Sequence, residues 1–122
     1  QGTPYSGWSA GSNVACPTIK TTNDMPIVEP ESFRAFDLIR FQINPHYLDK
    51  NPDGHAGETR EDMITEFLYA NQDTMVLGLR EGCMFRIEGK SMSLIGKHSV
   101  RVFEFGKDFY EIKPGEDLNF LL

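Results

Sequence analysis

The 122-residue sequence predicts an α/β fold in which a partly parallel sheet presents a serine on a sharp turn between a strand and a helix. Three observations predict this fold. Strand-like and helix-like segments alternate up to residue 79, the motif G-x-S-x-G occupies residues 7–11, and two hairpin patterns follow residue 83. The length suits a single domain covering residues 1–122, because two domains would need a longer chain.

The first predicted elements surround the motif. Residues 3–7 are predicted to form a strand that leads into the turn, and a short helix starts near Ala10 and is stopped by Pro17. Residues 18–25 are polar and β-branched and precede two prolines, which favours a loop with one short strand. Residues 36–43 carry β-forming side chains that nearly alternate with polar ones, so they predict a strand that the following Asn-Pro pair ends.

The second half of the chain supplies a helix and the remaining strands. Residues 49–57 contain an Asn-Pro-Asp-Gly turn signal and are predicted to be a loop. Thr59 and Asp62 have nearly the spacing and chemistry of a capping box, and an apolar stripe extends the helix to about Asn71. The later elements are a buried strand at 75–79, a hairpin of 84–87 with 91–95, a hairpin of 100–105 with 109–112, and a tail at 114–122. Both hairpins are expected to extend the sheet in antiparallel fashion.

Composition and charge argue against several kinds of partner. The net charge is −6 and the twelve basic residues are scattered, which argues against nucleic acid and anionic membranes as partners. No apolar run reaches the roughly 18 residues of a membrane helix. The two cysteines form no C-x-x-C motif and no secretory signal is evident, so a cytoplasmic location is expected. Because no metal-binding motif is present, we expect neither a metal nor another cofactor.

The sequence Gly7-Trp8-Ser9-Ala10-Gly11 is typical of a nucleophile elbow. In such a turn the serine hydroxyl is exposed at the carboxyl edge of a sheet, and the glycines allow the flanking backbone segments to approach closely. The backbone N–H of Ala10, at the start of a helix, can donate to an oxyanion. Five residues with three fixed positions also recur by chance, so the strand-turn-helix context matters more than the pattern.

A base and an acid for Ser9 must come from elsewhere in the chain. His46 follows the strand at 36–43, where the preceding proline stiffens the backbone, whereas His55 and His98 lie in turns that we expect to be solvated. Two acids can orient the imidazole. Asp24 precedes a Met-Pro pair, where an Asx turn is the ordinary role for such a residue. Glu81 follows the strand at 75–79, and sheet topology favours it. Both acids stay open.

Around these positions, four stretches resemble the peptidase E family of aspartyl dipeptidases, and the resemblance extends over nearly the whole chain. They are GWSAGSN at 7–13, ACPTIKTTNDMPIV at 15–28, QINPH at 42–46 and GETR at 57–60. The resemblance implies the C-terminal part of a class I glutamine amidotransferase-like (flavodoxin-like) sheet, without the N-terminal half of the family's chain.

The resemblance also implies an activity and its residues. It implies a serine dipeptidase that hydrolyses Asp-X dipeptides through an acyl-enzyme, with Ser9 as nucleophile and His46 as general base. Arg60, in the GETR stretch, is expected to bind the aspartate side chain of the substrate, because a guanidinium can bind a carboxylate bidentately.

Two further interpretations stay open. The chain can be a non-catalytic or self-associating truncated fragment of such an enzyme, or an enzyme that cuts β-aspartyl linkages. In every case a partner is expected, either the N-terminal half of the same protein or a second copy that covers the exposed sheet edge.

Overall fold

The computed structural model describes residues 2–24, 27–51, 53–54 and 56–122. Its elements in chain order are α1 (Ala10–Ala15), β1 (Gln42–Asn44), α2 (Arg60–Ala70), β2 (Met75–Gly78), β3 (Met84–Glu88), β4 (Ser91–Ile95), β5 (Val100–Glu104), β6 (Tyr110–Ile112) and a 3-10 turn (Asn119–Leu121). The strands form a four-stranded sheet of order β1-β2-β5-β6 and a two-stranded sheet of β3 and β4. The fold is therefore mixed α/β, as predicted, and a flavodoxin-like order for the complete sheet stays a prediction.

The pairing of β1 with β2 decides where the site forms. These two strands are parallel, with Gln42 opposite Val76 and Asn44 opposite Gly78. Helix α2 makes the crossover between them, so both strands end at the same edge of the sheet. The residues that follow β1 and β2 therefore meet there.

Helix α2 begins as its sequence predicts. The Thr59 hydroxyl accepts a hydrogen bond from the Asp62 amide at 3.1 Å, and the Asp62 carboxylate accepts one from the Thr59 amide at 3.0 Å. This reciprocal pair is a capping box and satisfies two amides that the first turn leaves unpaired. Ile64 and Leu68 are the buried residues of the helix, and they pack against one face of the sheet.

The core lies on both faces of the four-stranded sheet. Consecutive residues of β2 point to opposite faces, so Val76 packs with Tyr47 and α2 while Leu77 joins a larger cluster on the other side. The larger cluster also holds Leu118, which is fully buried, so the predicted C-terminal tail closes the core under β4. Among the described residues, no helix is both long and apolar enough to cross a bilayer.

The predicted strand at 3–7 is wrong: residues 2–7 are irregular, exposed chain with no strand pairing. A strand needs a neighbour for its backbone groups, and no described strand lies beside this segment. Pro4 also lacks an amide to donate. The segment is instead held by the Tyr5 hydroxyl, which donates to the carbonyl oxygen of Gly11 at 2.6 Å.

The predicted strand at 36–43 is right only at its end, since β1 begins at Gln42. Before that point the amides of residues 35–38 donate to carbonyls of residues 14–17, at and just beyond the end of α1. They satisfy carbonyls that the helix leaves unpaired, and Asp37 takes a φ of 55°, which no regular strand allows.

One of the two predicted hairpins extends the sheet, and the other does not. The hairpin of β5 and β6 joins it through antiparallel pairing of β5 with β2. The hairpin of β3 and β4 forms its own two-stranded sheet. The β3–β4 hairpin cannot pair with β2, the strand that precedes it, because β1 and β5 already occupy both edges of β2.

Candidate active site

The serine of the G-x-S-x-G motif lies on a strained turn immediately before α1. Ser9 has φ 55° and ψ −116°, a conformation that non-glycine residues rarely adopt outside functional sites. A Cβ at Gly7 would lie 2.8 Å from the carbonyl oxygen of Gly11, so this position needs a glycine. A Cβ at Gly11 would meet only the Tyr5 hydroxyl, at 3.6 Å. The close approach that the motif predicts therefore occurs at its first glycine.

The structure brings Ser9, His46 and Glu81 into one hydrogen-bonded row. His46 Nε2 lies 3.0 Å from Ser9 Oγ, and His46 Nδ1 contacts a carboxylate oxygen of Glu81. An ionised carboxylate can only accept, so the imidazole proton lies on Nδ1 and the lone pair of Nε2 faces the serine hydroxyl. This is the geometry that general-base activation of a serine requires. His46 also has a positive φ, of 53°.

Of the two acids that the sequence leaves open, the structure places Glu81 against His46 and does not place Asp24 there. The Asp24 carboxylate lies 3.5 Å from the Thr22 hydroxyl, and the Asp24 amide donates to the same hydroxyl at 3.3 Å. These contacts belong to a local turn, which is the ordinary role that the sequence also suggested.

The segment before Asp24 supports the end of β1 instead. The Thr21 hydroxyl donates to the carbonyl of Ile43 at 2.8 Å, and the Asn23 amide group donates to the carbonyl of Pro45 at 2.6 Å. Asn44 donates in turn to the side-chain oxygen of Asn23 at 2.7 Å. These hydrogen bonds fix the backbone at the end of β1, from which the side chain of His46 projects.

A cleft of about 850 Å³ opens beside this row, between residues 3–9, 38–46 and 79–87. Large apolar side chains line much of it: Tyr5, Trp8, Leu38, Phe41, Phe85 and Ile87. The row itself is open to solvent, since the side chains of His46 and Glu81 are 48% and 71% exposed. Such exposure weakens electrostatic stabilisation of a transition state, which works best where water is excluded.

The remaining two predicted site residues lie at the same edge of the sheet. Among the described residues, the Ala10 amide has no hydrogen-bond partner and is free to donate. Arg60 is the first residue of α2, whose start lies at the edge where β1 ends. The Arg60 side chain does not line the cleft, and its Nε is buried without a hydrogen-bond partner in the described part of the chain.

Sequence reasoning missed Arg80 and Tyr47, which flank Glu81 and His46 and contact each other. The residues that Arg80 and Tyr47 contact come from distant segments of the chain, so no local sequence pattern indicates these two positions. Of the other histidines, His98 is exposed, and its carbonyl accepts a hydrogen bond from the Cys83 thiol at 3.4 Å. His55 lies outside the described residues.

Cys16 is expected to resist alkylation in the folded chain, while Cys83 reacts. Burial raises the pKa of the Cys16 thiol to about 11, although a hydrogen bond from the Ile43 amide at 3.2 Å opposes the shift. At about pH 8 this thiol is therefore protonated, and only the thiolate is a good nucleophile. Cys83 is partly exposed. Mass spectrometry after iodoacetamide treatment should find one label per chain, and none in a Cys83→Ser variant until denaturant is added. Labelling of folded Cys83→Ser would contradict the burial of Cys16.

Comparisons with known proteins identify relatives of this chain. The model of peptidase family S51 matches residues 1–95. Peptidase E of Nostoc sp. is 55% identical over 121 residues, which cover 99% of this chain and 50% of the relative. Peptidase E of Streptomyces coelicolor is 53% identical over 122 residues, with 99% and 50% covered. Peptidase E of Salmonella typhimurium is 46% identical over 115 residues, with 94% and 50% covered. The chain thus spans about half the length of these relatives.

Proposed function

The chain belongs to peptidase family S51, and from this premise we propose that it is the nucleophile-bearing half of a serine peptidase that hydrolyses Asp-X dipeptides. The observation that carries the proposal is the row in which Glu81 contacts His46 Nδ1 and His46 Nε2 lies 3.0 Å from Ser9 Oγ. This row has the composition and order of a catalytic triad.

The geometry supports a two-step acyl transfer. His46 Nε2 takes the proton of Ser9 as Oγ attacks the peptide carbonyl, and the Ala10 amide donates to the resulting oxyanion. His46 then gives that proton to the leaving amine as the C–N bond breaks, which leaves an ester on Ser9. Water attacks the ester with His46 again as base, and His46 returns that proton to Ser9 Oγ as the ester C–O bond breaks and the acid is released. Throughout, the Glu81 carboxylate stabilises the imidazolium and holds its orientation.

Arg60 is the proposed ligand of the substrate's aspartate side chain. It begins α2 at the edge of the sheet that carries His46 and Glu81, and its buried Nε has no hydrogen-bond partner among the described residues. A buried cationic donor without a partner is costly, and a substrate carboxylate would supply that partner once the Arg60 side chain turned toward the cleft, which it does not line in this structure.

The proposed peptidase needs a second half to exclude water from its active site. Tyr5, Trp8, Phe36 and Leu38 are exposed apolar side chains near the open cleft, and Trp8 is 80% exposed. Contiguous exposed apolar surface is typical of a covered interface. The relatives are about twice as long as this chain, so the proposed cover is a segment equivalent to their unmatched half. Self-association through the same surface is the competing outcome, and sedimentation at micromolar concentration distinguishes the two.

The activity is tested by complementing the chain with the unmatched half of Nostoc peptidase E, added as a second chain or fused. We expect hydrolysis of Asp-Leu at a rate at least about 10²-fold above that of Asn-Leu, which has nearly the same shape but no charge. In an Arg60→Gln variant this preference should largely disappear. Released leucine is measured by chromatography.

Three outcomes would count against the proposal. Equal hydrolysis of Asp-Leu and Asn-Leu would refute the specificity, and faster hydrolysis of β-aspartyl-leucine would move it to the other linkage. If a folded, complemented preparation cleaves none of the three substrates, the interpretation of the chain as a non-catalytic fragment replaces the proposal.

A further inference from the structure

The residues next to His46 and Glu81 in the sequence form a charged cluster of their own. Tyr47 follows His46, and Arg80 precedes Glu81. The Arg80 side chain is only 16% exposed, whereas that of its neighbour Glu81 is 71% exposed. Two consecutive side chains thus have opposite environments, one fixed in the protein and the other free to reach the site.

Arg80 joins the two loops that leave β1 and β2. Its Nε and Nη2 donate to Asp49, on the His46 loop, at 3.0 and 2.6 Å. Its Nη1 and Nη2 donate to Glu111, on β6, at 2.8 and 3.2 Å. Nη1 also donates to the carbonyl of Ser99 at 2.6 Å. One guanidinium therefore ties the end of β2 to the loop after β1 and to the start and end of the β5–β6 hairpin.

Tyr47 is held by the same cluster. The guanidinium carbons of Arg80 and Arg101 lie 5.4 and 5.7 Å from the centre of its ring, and its hydroxyl accepts a hydrogen bond from Arg101 at 3.3 Å. The ring also covers Gly78, where a Cβ would lie 2.6 Å from it. The Tyr47 amide donates to the carbonyl of Leu79 at 2.9 Å, which continues the pairing of β1 with β2.

We propose that Arg80 is a positioning residue. By fixing Asp49 and Tyr47 on the loop after β1 and its own backbone on the loop after β2, it holds the imidazole of His46 in hydrogen-bonding position between Glu81 and Ser9. Arginine suits this task because its planar fork binds two carboxylates at defined angles, which a lysine cannot do. His46 and Glu81 are themselves exposed, so their own packing cannot hold them.

The contact between Arg80 and Glu111 favours the charged form of both groups. Hydrogen bonding to Glu111, followed by that to Asp49, raises the pKa of Arg80 in spite of its partial burial. Partial burial favours protonation of Glu111, but hydrogen bonds from Arg80 and Arg101 hold its pKa below the usual value. Both shifts favour the charged forms, so they maintain the ion pair between Arg80 and Glu111.

The test follows the imidazole of His46 directly, by nitrogen-15 NMR of the full 122-residue chain. Replacing His55 and His98 with glutamine leaves His46 as the only one of three histidines. At roughly pH 9, where an ordinary imidazole is neutral, we expect the proton on Nδ1. In Arg80→Gln the ratio of the Nδ1–H to the Nε2–H tautomer should fall at least about tenfold, as expected for a lost charge-assisted hydrogen bond. Arg80→Lys should restore only part of it.

Two controls keep the inference falsifiable. Arg40→Gln removes an exposed arginine with no hydrogen bond among the described residues, and it should leave the tautomer ratio unchanged. Asp49→Asn weakens the contact between Arg80 and the His46 loop at a more exposed position, and it should lower the ratio in the same direction. An unchanged ratio in folded Arg80→Gln overturns the proposal. If Arg80→Gln does not fold, an unchanged tautomer ratio in Asp49→Asn overturns the proposal instead.

The positioning role of Arg80 does not depend on the proposed function. Only its expected effect on catalysis rests on that function. In the complemented peptidase, Arg80→Gln should lower kcat by about 10²-fold with little change in KM, because misplacing a catalytic group by about 1 Å costs that much. A tautomer shift without any hydrolysis by the parent would refute the peptidase and leave the positioning role. Normal hydrolysis by a variant with an unchanged tautomer ratio would refute the positioning role alone.

Discussion

Replacing Ser9 with alanine is expected to lower the turnover of Asp-Leu by about 10⁶-fold in the complemented peptidase, the loss found when a serine nucleophile is removed. The substitution deletes Oγ, the atom that His46 Nε2 faces at 3.0 Å. Water activated by His46 would have to replace it without a fixed position. The remaining acceleration would come from the oxyanion donor and from binding alone. Initial rates of leucine release measure the loss.

The matched control is Ser93→Ala. Ser93 is an exposed residue of β4 outside the cleft, so its replacement should change the rate by no more than about twofold. Alanine at position 9 must still take a positive φ, so the folded state of both variants is compared by thermal unfolding. Substantial hydrolysis by a folded Ser9→Ala variant would show that another group carries out the chemistry.

The elements that the sequence predicted correctly are those with local signals. The capping box and apolar stripe of α2, the Gly-containing turn between β3 and β4, and the proline that ends α1 all act over a few residues. Residues 3–7 and 36–41 also have strand patterns, but a strand exists only where a neighbour pairs with it. Those neighbours belong to the tertiary structure, which the pattern of one segment does not contain.

The same distinction explains what could be predicted of the site. The motif placed Ser9 on a turn before a helix, and sheet topology favoured Glu81 over Asp24 because both β1 and β2 had to end at one edge. The positions of Arg80 and Tyr47 depend on Asp49, Arg101 and Glu111, which lie up to 62 residues apart (49 to 111) and meet only through the pairing of β2 with β5 and β5 with β6. No local pattern in a single sequence indicates such a cluster.

Exchanging Glu81 for glutamine is expected to lower turnover by about 10⁴-fold while the shape of the side chain is kept, as for the corresponding exchange in a Ser-His-Asp triad. The glutamine amide can donate to Nδ1 of His46, which then has to accept, so the imidazole proton moves to Nε2. In that tautomer His46 cannot take the proton of Ser9, and the imidazolium that forms later has lost its carboxylate. Turnover of Asp-Leu and the tautomer of His46, measured on the same preparation, should therefore change together.

The matched control for this exchange is Asp24→Asn, which makes the same change of charge on the other candidate acid. Asp24 is exposed, and its carboxylate contacts Thr22 rather than His46, so turnover should fall by no more than about twofold. A large loss for Asp24→Asn together with a small one for Glu81→Gln would assign the orienting acid to Asp24. The contact between Glu81 and His46 would then be an exposed ion pair, and such pairs contribute little. Because the two variants differ in position and not in the kind of substitution, a general effect of removing one negative charge cannot produce the expected difference of several thousandfold.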